Sequence, residues 1–297
     1  MSLGDDMAVL DAHCHWSTDE AYVFRTEEER RKATENFRRK VEMRTEAEML
    51  ADLREAGVRT MINIGCTTDM PIEEVRELHE YTSRIISENR DVFIGQWIMI
   101  DPTEQTLAEF ERCLTELDMG LVGFTVNGAS TNTAPSDEAY YPFYELCMEH
   151  NAPVHVQLGY TGIGARHPGG DGRVLRYCHP KHVDRLAADF PEMKIIIGRP
   201  AWPWQSEATA TFMHKDNIIG YELHGWKPQW WPEELKRDIA SRPAFQDKIM
   251  FASDYPIFSH EELYEEWESL DLTREQLEGI YHDNAADILG RFDGADL

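Results

Sequence analysis

Basic residues are scarce in this chain: 29 Lys and Arg stand against 55 Asp and Glu in 297 residues, a net charge of −26. So acidic a molecule repels phosphate backbones and anionic lipid headgroups, which excludes nucleic acid and membrane surfaces as expected partners. Cysteine is sparse too. Cys14, Cys66, Cys113, Cys147 and Cys178 make an odd number with no Cys-x-x-Cys spacing. That excludes a disulfide framework or a zinc knuckle and fits a reducing cytoplasm, so all five read as core residues. No apolar run approaches bilayer-spanning length, and the first residues do not read as a signal peptide. A soluble, cytoplasmic protein is expected. Internal repeats and low-complexity linkers are lacking as well.

What is present is alternation. Short apolar segments at 8–14, 58–65, 93–100, 121–127, 153–159, 194–199, 218–224 and 248–253 read as strands. Amphipathic, charged segments near 46–56, 71–89, 104–117, 138–150, 180–190, 203–214 and 232–240, with more after 260, read as helices. Eight such strands, several of them continuously apolar as in Lys194-Ile195-Ile196-Ile197, predict a closed parallel sheet covered on both faces. The expectation is an α/β fold, a (β/α)8 TIM barrel in one domain over 1–297. An open doubly wound sheet is the alternative, but no Gly-x-Gly-x-x-Gly follows the first strand. Two stretches interrupt the alternation: a charged insertion at 17–45 after the first strand and a Gly-, Arg- and His-rich loop at 160–179 after the fifth. Loops that follow barrel strands build the active-site face, so both are candidate walls or lids.

The strand ends carry polar residues. His13 and His15 close the first strand, and alternation there projects both to one face with Cys14 turned away. The later ends carry Asn127, His155 with Gln157, Arg199, Glu222 with His224, and finally Asp254 before a Tyr255-Pro256 turn. Barrel closure sets the eighth strand beside the first, so Asp254 neighbours the His pair. Two imidazoles and a carboxylate form a catalytic-type ligand set for a divalent ion such as zinc, with positions left for water or substrate. The Arg199 guanidinium is shaped to grip a carboxylate bidentately, which gives an anionic small molecule a local attraction on an acidic protein. Trp202, Trp204, Trp226, Trp230 and Trp231 gather near strands six and seven, mostly as rim packing, with one or two lining an apolar pocket.

Taken in order, His13-x-His15, Pro153-Val154-His155-Val156-Gln157, Gly198-Arg199-Pro200-Ala201-Trp202, Ala252-Ser253-Asp254-Tyr255-Pro256 and Asn284-Ala285-Ala286-Asp287 resemble the amidohydrolase-2 (amidohydrolase-related) family over nearly the whole chain. That resemblance implies a barrel hydrolase, a lactonase or a decarboxylase of the aminocarboxymuconate-semialdehyde type. Metal-dependent members commonly carry His where Gln157 and Arg199 stand here. Gln is a poor zinc ligand and Arg cannot bind a metal at all. Three readings stay open. In the first, a hydrolase of a small cyclic or aromatic lactone or amide holds a metal, zinc by expectation, on His13, His15 and Asp254. Asp254 then carries the proton, and Arg199, Gln157, Tyr160, His224 and Trp202 hold the substrate. The second is a decarboxylase of an aromatic or unsaturated acid, with Asp254 or His155 protonating carbon. The third is a metal-free relative in which Arg199 fills the place of the ion. A homodimer is the prior for such barrels.

Overall fold

Eight parallel strands stand in chain order around a barrel in the computed structural model, which describes residues 7–22, 24, 26–40, 42–64 and 67–297. They are β1 (Val9–His15), β2 (Val58–Asn63), β3 (Phe93–Ile98), β4 (Leu121–Val126), β5 (Val154–Gln157), β6 (Ile195–Gly198), β7 (Ile218–Glu222) and β8 (Ile249–Met250). Between them run α1 (Glu27–Phe37), α2 (Glu46–Glu55), α3 (Ile72–Glu88) and α4 (Glu104–Thr115), then helices at Tyr141–Glu149, Lys181–Asp189, Gln205–His214 and Glu233–Ser241. The expected (β/α)8 barrel is thus the observed one, with eight strands in a nearly closed barrel. No helix among the described residues is long and apolar enough to cross a membrane.

Local chemistry sets the helix starts. Thr26 with Glu29 and Thr45 with Glu48 form capping boxes at α1 and α2, each side chain satisfying a backbone N–H of the other. Among the described residues of the 17–45 insertion, α1 is the one α-helix, and Ser17 and Tyr22 form an isolated antiparallel bridge. The strands are buried along nearly their whole length because helices cover the outside and side chains fill the inside. Inside, Leu10, Met61, Ile94, Trp97, Ile196 and Met250 form the lower layer, plugged from below by Ile288 and Leu289. Trp97 lies across this interior, its indole N–H donating to the Ala12 carbonyl at 2.8 Å. Gly123 makes room for it, since a Cβ there would lie 2.2 Å from the indole ring.

Closure differs from the sequence expectation. Only Ile249–Met250 pair with β7, not the whole of 248–253. Beyond them the chain turns to β1: Ala12 N–H donates to Phe251 O at 2.9 Å and Asp254 N–H to His13 O at 3.0 Å. The cause is Asp11, a fully buried carboxylate that accepts from the backbone N–H of both His13 and Ser253. The Ser253 hydroxyl and His260 Nε2 complete its shell at 2.5 and 3.0 Å. A satisfied carboxylate therefore staples the first strand to the segment that carries Asp254.

Cys14, Cys113, Cys147 and Cys178 are free and buried, as expected of core residues, while Cys66 lies outside the described residues. Between α3 and α4, Cys113 packs against a buried His79–Glu109 pair (2.7 Å) that Arg112 and Arg76 also engage. Burial pushes the Glu109 carboxyl up, but His79 and Arg112 outweigh it and hold it at about 2, against 4.5 for an ordinary Glu. A carboxyl depressed on folding stabilises the protein above the unfolded value and loses that contribution as pH falls through the folded one. Acid unfolding should therefore show a loss of order 3 kcal/mol between pH 4.5 and 2 from this group. Urea titrations of the protein and of Glu109→Gln across that range check it. Equal acid slopes for both would refute it.

Candidate metal and substrate site

The C-terminal mouth of the barrel opens into a cavity of about 870 Å³. Its floor includes His15, Asn63, Gln157, Arg199 and Asp254; α1 and the 160–173 loop form its outer wall. The two interruptions in the alternation are thus walls of one cavity. Tyr160 stands edge to face against Trp202 and Trp226, which are tilted to each other, all within about 6 Å, and the three line one side, with Trp230 at the rim. Trp204 instead packs on His179, and Trp231 on Trp267.

Although the pairing of β1 with β2 is irregular between Asp11 and Cys14, His13 and His15 do face the same way, ring centroids 5.2 Å apart. Ligand atoms of His13, His15 and Asp254 all lie within 4.8 Å of one another. His15 Nδ1 is 2.9 Å from the Asn63 carbonyl. A carbonyl only accepts, so Nδ1 carries the proton and Nε2 presents a lone pair. That lone pair lies 2.9 Å from Asp254 Oδ1, which has no partner in hydrogen-bond geometry. Such an opposition is relieved by a second proton on His15 or by a shared cation. The neighbouring ring favours the cation: His13 is fully buried, and neither of its nitrogens has a hydrogen-bond partner. Burial, reinforced by His224, holds the His13 pKa well below the usual histidine value, so the ring is neutral and ready to ligate. These three residues fit a divalent ion. Asp254 adopts left-handed backbone (φ 58°), an uncommon conformation that the Asp11 staple and the His13 carbonyl hold in place.

A second cluster lies deeper: His13, His155, Glu222 and His224, all buried. This set is already filled with protons. Gln157 Nε2 donates to the Thr125 hydroxyl, which donates to His155 Nδ1 at 2.8 Å. His155 Nε2 then donates to Glu222 Oε1 at 2.7 Å, and His224 Nδ1 donates to the same oxygen at 2.5 Å. The His224 backbone N–H takes Oε2 at 2.8 Å. Burial pushes Glu222 up, yet the bonds from His155 and the charges around it hold the carboxylate below its usual range. Every member but His13 has its partners, so the deep set needs no metal. The His79–Glu109–Cys113 set is likewise committed, its carboxylate gripped by Arg112.

The structure therefore redistributes the expected residues. Asp254, His15, Arg199, Gln157, Tyr160 and Trp202 line the cavity; His13, His155 and His224 do not. His155, expected as a proton donor, is sealed under Gln157 with both nitrogens occupied. His224, expected against the substrate, sits behind Arg199 and accepts from its Nε at 3.0 Å. Gln157 has its carbonyl held by Asn127 Nδ2 at 2.9 Å, so its amide braces the floor. Arg199 does not pair with Asp254 or enter the ligand set; no carboxylate of the described residues lies within ion-pair distance of it. Sequence reasoning placed Glu222 beside His224 at a strand end with its role open, and missed Asp11, Ser253 and His260. The available signal was a carboxylate two residues before each of His13 and His224, on the same strand face.

Comparison with known proteins follows this geometry. An uncharacterized TIM-barrel protein from Bordetella bronchiseptica superposes with a TM-score of 0.73 at 18% identity, covering 96% of this chain and 99% of that one. A 5-carboxyvanillate decarboxylase from Sphingomonas paucimobilis gives 0.67 at 15%, covering 95% and 99%. A dihydroxybenzoic acid decarboxylase from Polaromonas, with bound manganese and the inhibitor 2-nitroresorcinol, gives 0.65 at 16%, covering 95% and 97%. At such identities the likeness is one of fold. The comparison with curated proteins finds no match. The model of the Amidohydro_2 family, described as amidohydrolase, matches residues 10–291, and the chain belongs to that family.

Proposed function

We propose that this protein is a metal-dependent carbon–carbon lyase that decarboxylates an aromatic or unsaturated acid. The observation that carries this reading is the pairing of an unsatisfied His13–His15–Asp254 set with a carboxylate-free Arg199 on the floor of an aromatic-walled cavity. Hydrolysis needs a site built around water; this cavity offers an apolar side for a flat ring and, on its floor beside the ligand set, the Arg199 guanidinium for an acid group. That solved structures of similar fold include decarboxylases, three of them with manganese, supports the same choice.

His13, His15 and Asp254 would hold the ion, which would supply Lewis-acid polarisation of the substrate. Zinc and manganese both suit such a mixed nitrogen and oxygen set. Tyr160, Trp202 and Trp226 flank the ring and exclude water from it. Arg199 anchors an acid group through charge-assisted bonds. The carbon–carboxylate bond breaks, carbon dioxide leaves, and the electron pair stays on the ring carbon. Asp254, which takes a proton from a substrate hydroxyl or from water, delivers it to that carbon. His155 has no path to the substrate and takes no part.

The test is a set of hydroxybenzoates offered to the manganese- or zinc-loaded protein, with carbon dioxide release measured beside lactone and amide hydrolysis. Carbon dioxide from at least one hydroxybenzoate is expected. Hydrolysis without decarboxylation would transfer the site to the hydrolase class.

A further inference from the structure

Arg199 is held in an unusual way. Its backbone is left-handed (φ 68°), and its side chain is tied not to a carboxylate but to a neutral histidine. An arginine Nε–H can only donate, so His224 Nε2 must accept at 3.0 Å, and the His224 proton must sit on Nδ1. That Nδ1–H meets Glu222 Oε1 at 2.5 Å, while Glu222 Oε2 accepts the His224 backbone N–H. Both nitrogens of one ring are thereby assigned by their neighbours, and the ring cannot turn over without losing both bonds. Gly198 belongs to the same device. A Cβ at 198 would lie 2.2 Å from Glu222 Oε1 and 2.3 Å from His155 Nε2, so the residue before Arg199 must be glycine for the carboxylate to stand there.

The bond to His224 consumes the Nε edge of the guanidinium. Nη1 reaches the Tyr160 carbonyl at 3.5 Å, and Nη2 has no protein partner among the described residues. The N–H groups left for a ligand are those of the Nη1–Nη2 end, in a cavity-lining residue.

We infer that His224, backed by Glu222, is a positioning residue that locks Arg199 so that its Nη1–Nη2 edge receives a carboxylate in the cavity. This rests on reading Arg199 as the acid-group anchor, and it adds the specificity device behind it. A guanidinium free to rotate offers several edges and binds any one of them less well; a locked one selects a planar, two-oxygen anion.

Binding of benzoate and of benzamide to the full-length protein, measured by calorimetry in chelator so that no metal contributes, tests it. These two probes share a ring and differ in the acid group. The wild-type protein should prefer benzoate by about tenfold or more, the size of one charge-assisted hydrogen bond. His224→Ala should bring the two affinities to within about twofold of each other while leaving benzamide binding unchanged. His224→Gln places an acceptor oxygen near the Nε2 position and should restore the preference, whereas His224→Asn is too short and should not. The Gln and Asn variants alone decide the matter if His224→Ala does not fold. A wild-type protein without the preference, a preference that survives His224→Ala or His224→Asn, or a Gln variant that behaves like Asn each overturns the inference. Carbon dioxide release reports separately on the lyase reading: its absence alongside an intact, His224-dependent preference sinks that reading and spares this one.

Discussion

Replacing His13 and His15 together by Ala should strip the divalent ion and lower turnover by about 10³-fold or more, since such an ion contributes about 4 kcal/mol to stabilising developing charge. The structural reason is that His13 has nothing else to do. Its two nitrogens are buried without hydrogen-bond partners; its ring stacks on His224 at 3.9 Å between centroids, and Glu222 Oε1 comes no nearer to Nδ1 than 3.9 Å. His15 is oriented by Asn63 so that its free nitrogen faces Asp254. A buried imidazole with both nitrogens unpartnered, as in His13, is costly unless something ligates it. Elemental analysis and manganese titration should show loss of the bound ion, and far-ultraviolet circular dichroism an intact barrel, because the only ring hydrogen bond lost among the described contacts is that of His15 to the Asn63 carbonyl at the strand end. Full turnover by a metal-free double variant would return the site to the reading in which no ion takes part.

Glu222→Ala is the second large effect, and it falls on stability first. Glu222 is the shared acceptor of His155, His224 and the His224 backbone. Its removal leaves two buried imidazole N–H groups and a backbone N–H unsatisfied beside an empty space. Breaking a buried, hydrogen-bonded charge costs about 3–5 kcal/mol. Urea unfolding should show a shift of that order, and a change below about 1 kcal/mol would mean that water or a rearrangement replaces the carboxylate. Glu222→Gln keeps the shape but turns one acceptor into a donor against the His224 N–H, so an intermediate loss is expected. In both variants Arg199 loses the support behind His224, and benzoate binding should weaken with stability.

How much of this was legible beforehand depends on the distance along the chain over which each contact acts. The barrel was readable because alternation of apolar runs and amphipathic segments is local and repeated eight times. The His13-x-His15 pair was readable because strand periodicity places two neighbours on one face, and it survived an irregularity in β1 that the periodicity does not reveal. Asp254 was readable as an acid where an apolar run stops. What hid was pairing. Thr125 meets His155, His155 meets Glu222, and Arg199 meets His224, each across a strand-to-strand step that residue types alone do not specify. Gln157 does line the cavity, but that Asn127 holds its carbonyl is another cross-strand pairing. Strand eight looked like six paired residues, because nothing local to it announces that Asp11 captures Ser253.

By itself, then, the amino-acid order determined a parallel barrel with two imidazoles and a carboxylate at one end, since periodicity and chain reversal are properties of short segments. Only the tertiary structure decided which polar groups are already satisfied and which are left over. A hydrogen bond has two ends, and in a barrel they lie on different strands. The leftover ring of His13 and the Nη2 group of Arg199, without a protein partner among the described residues, emerge only after every other partner has been found.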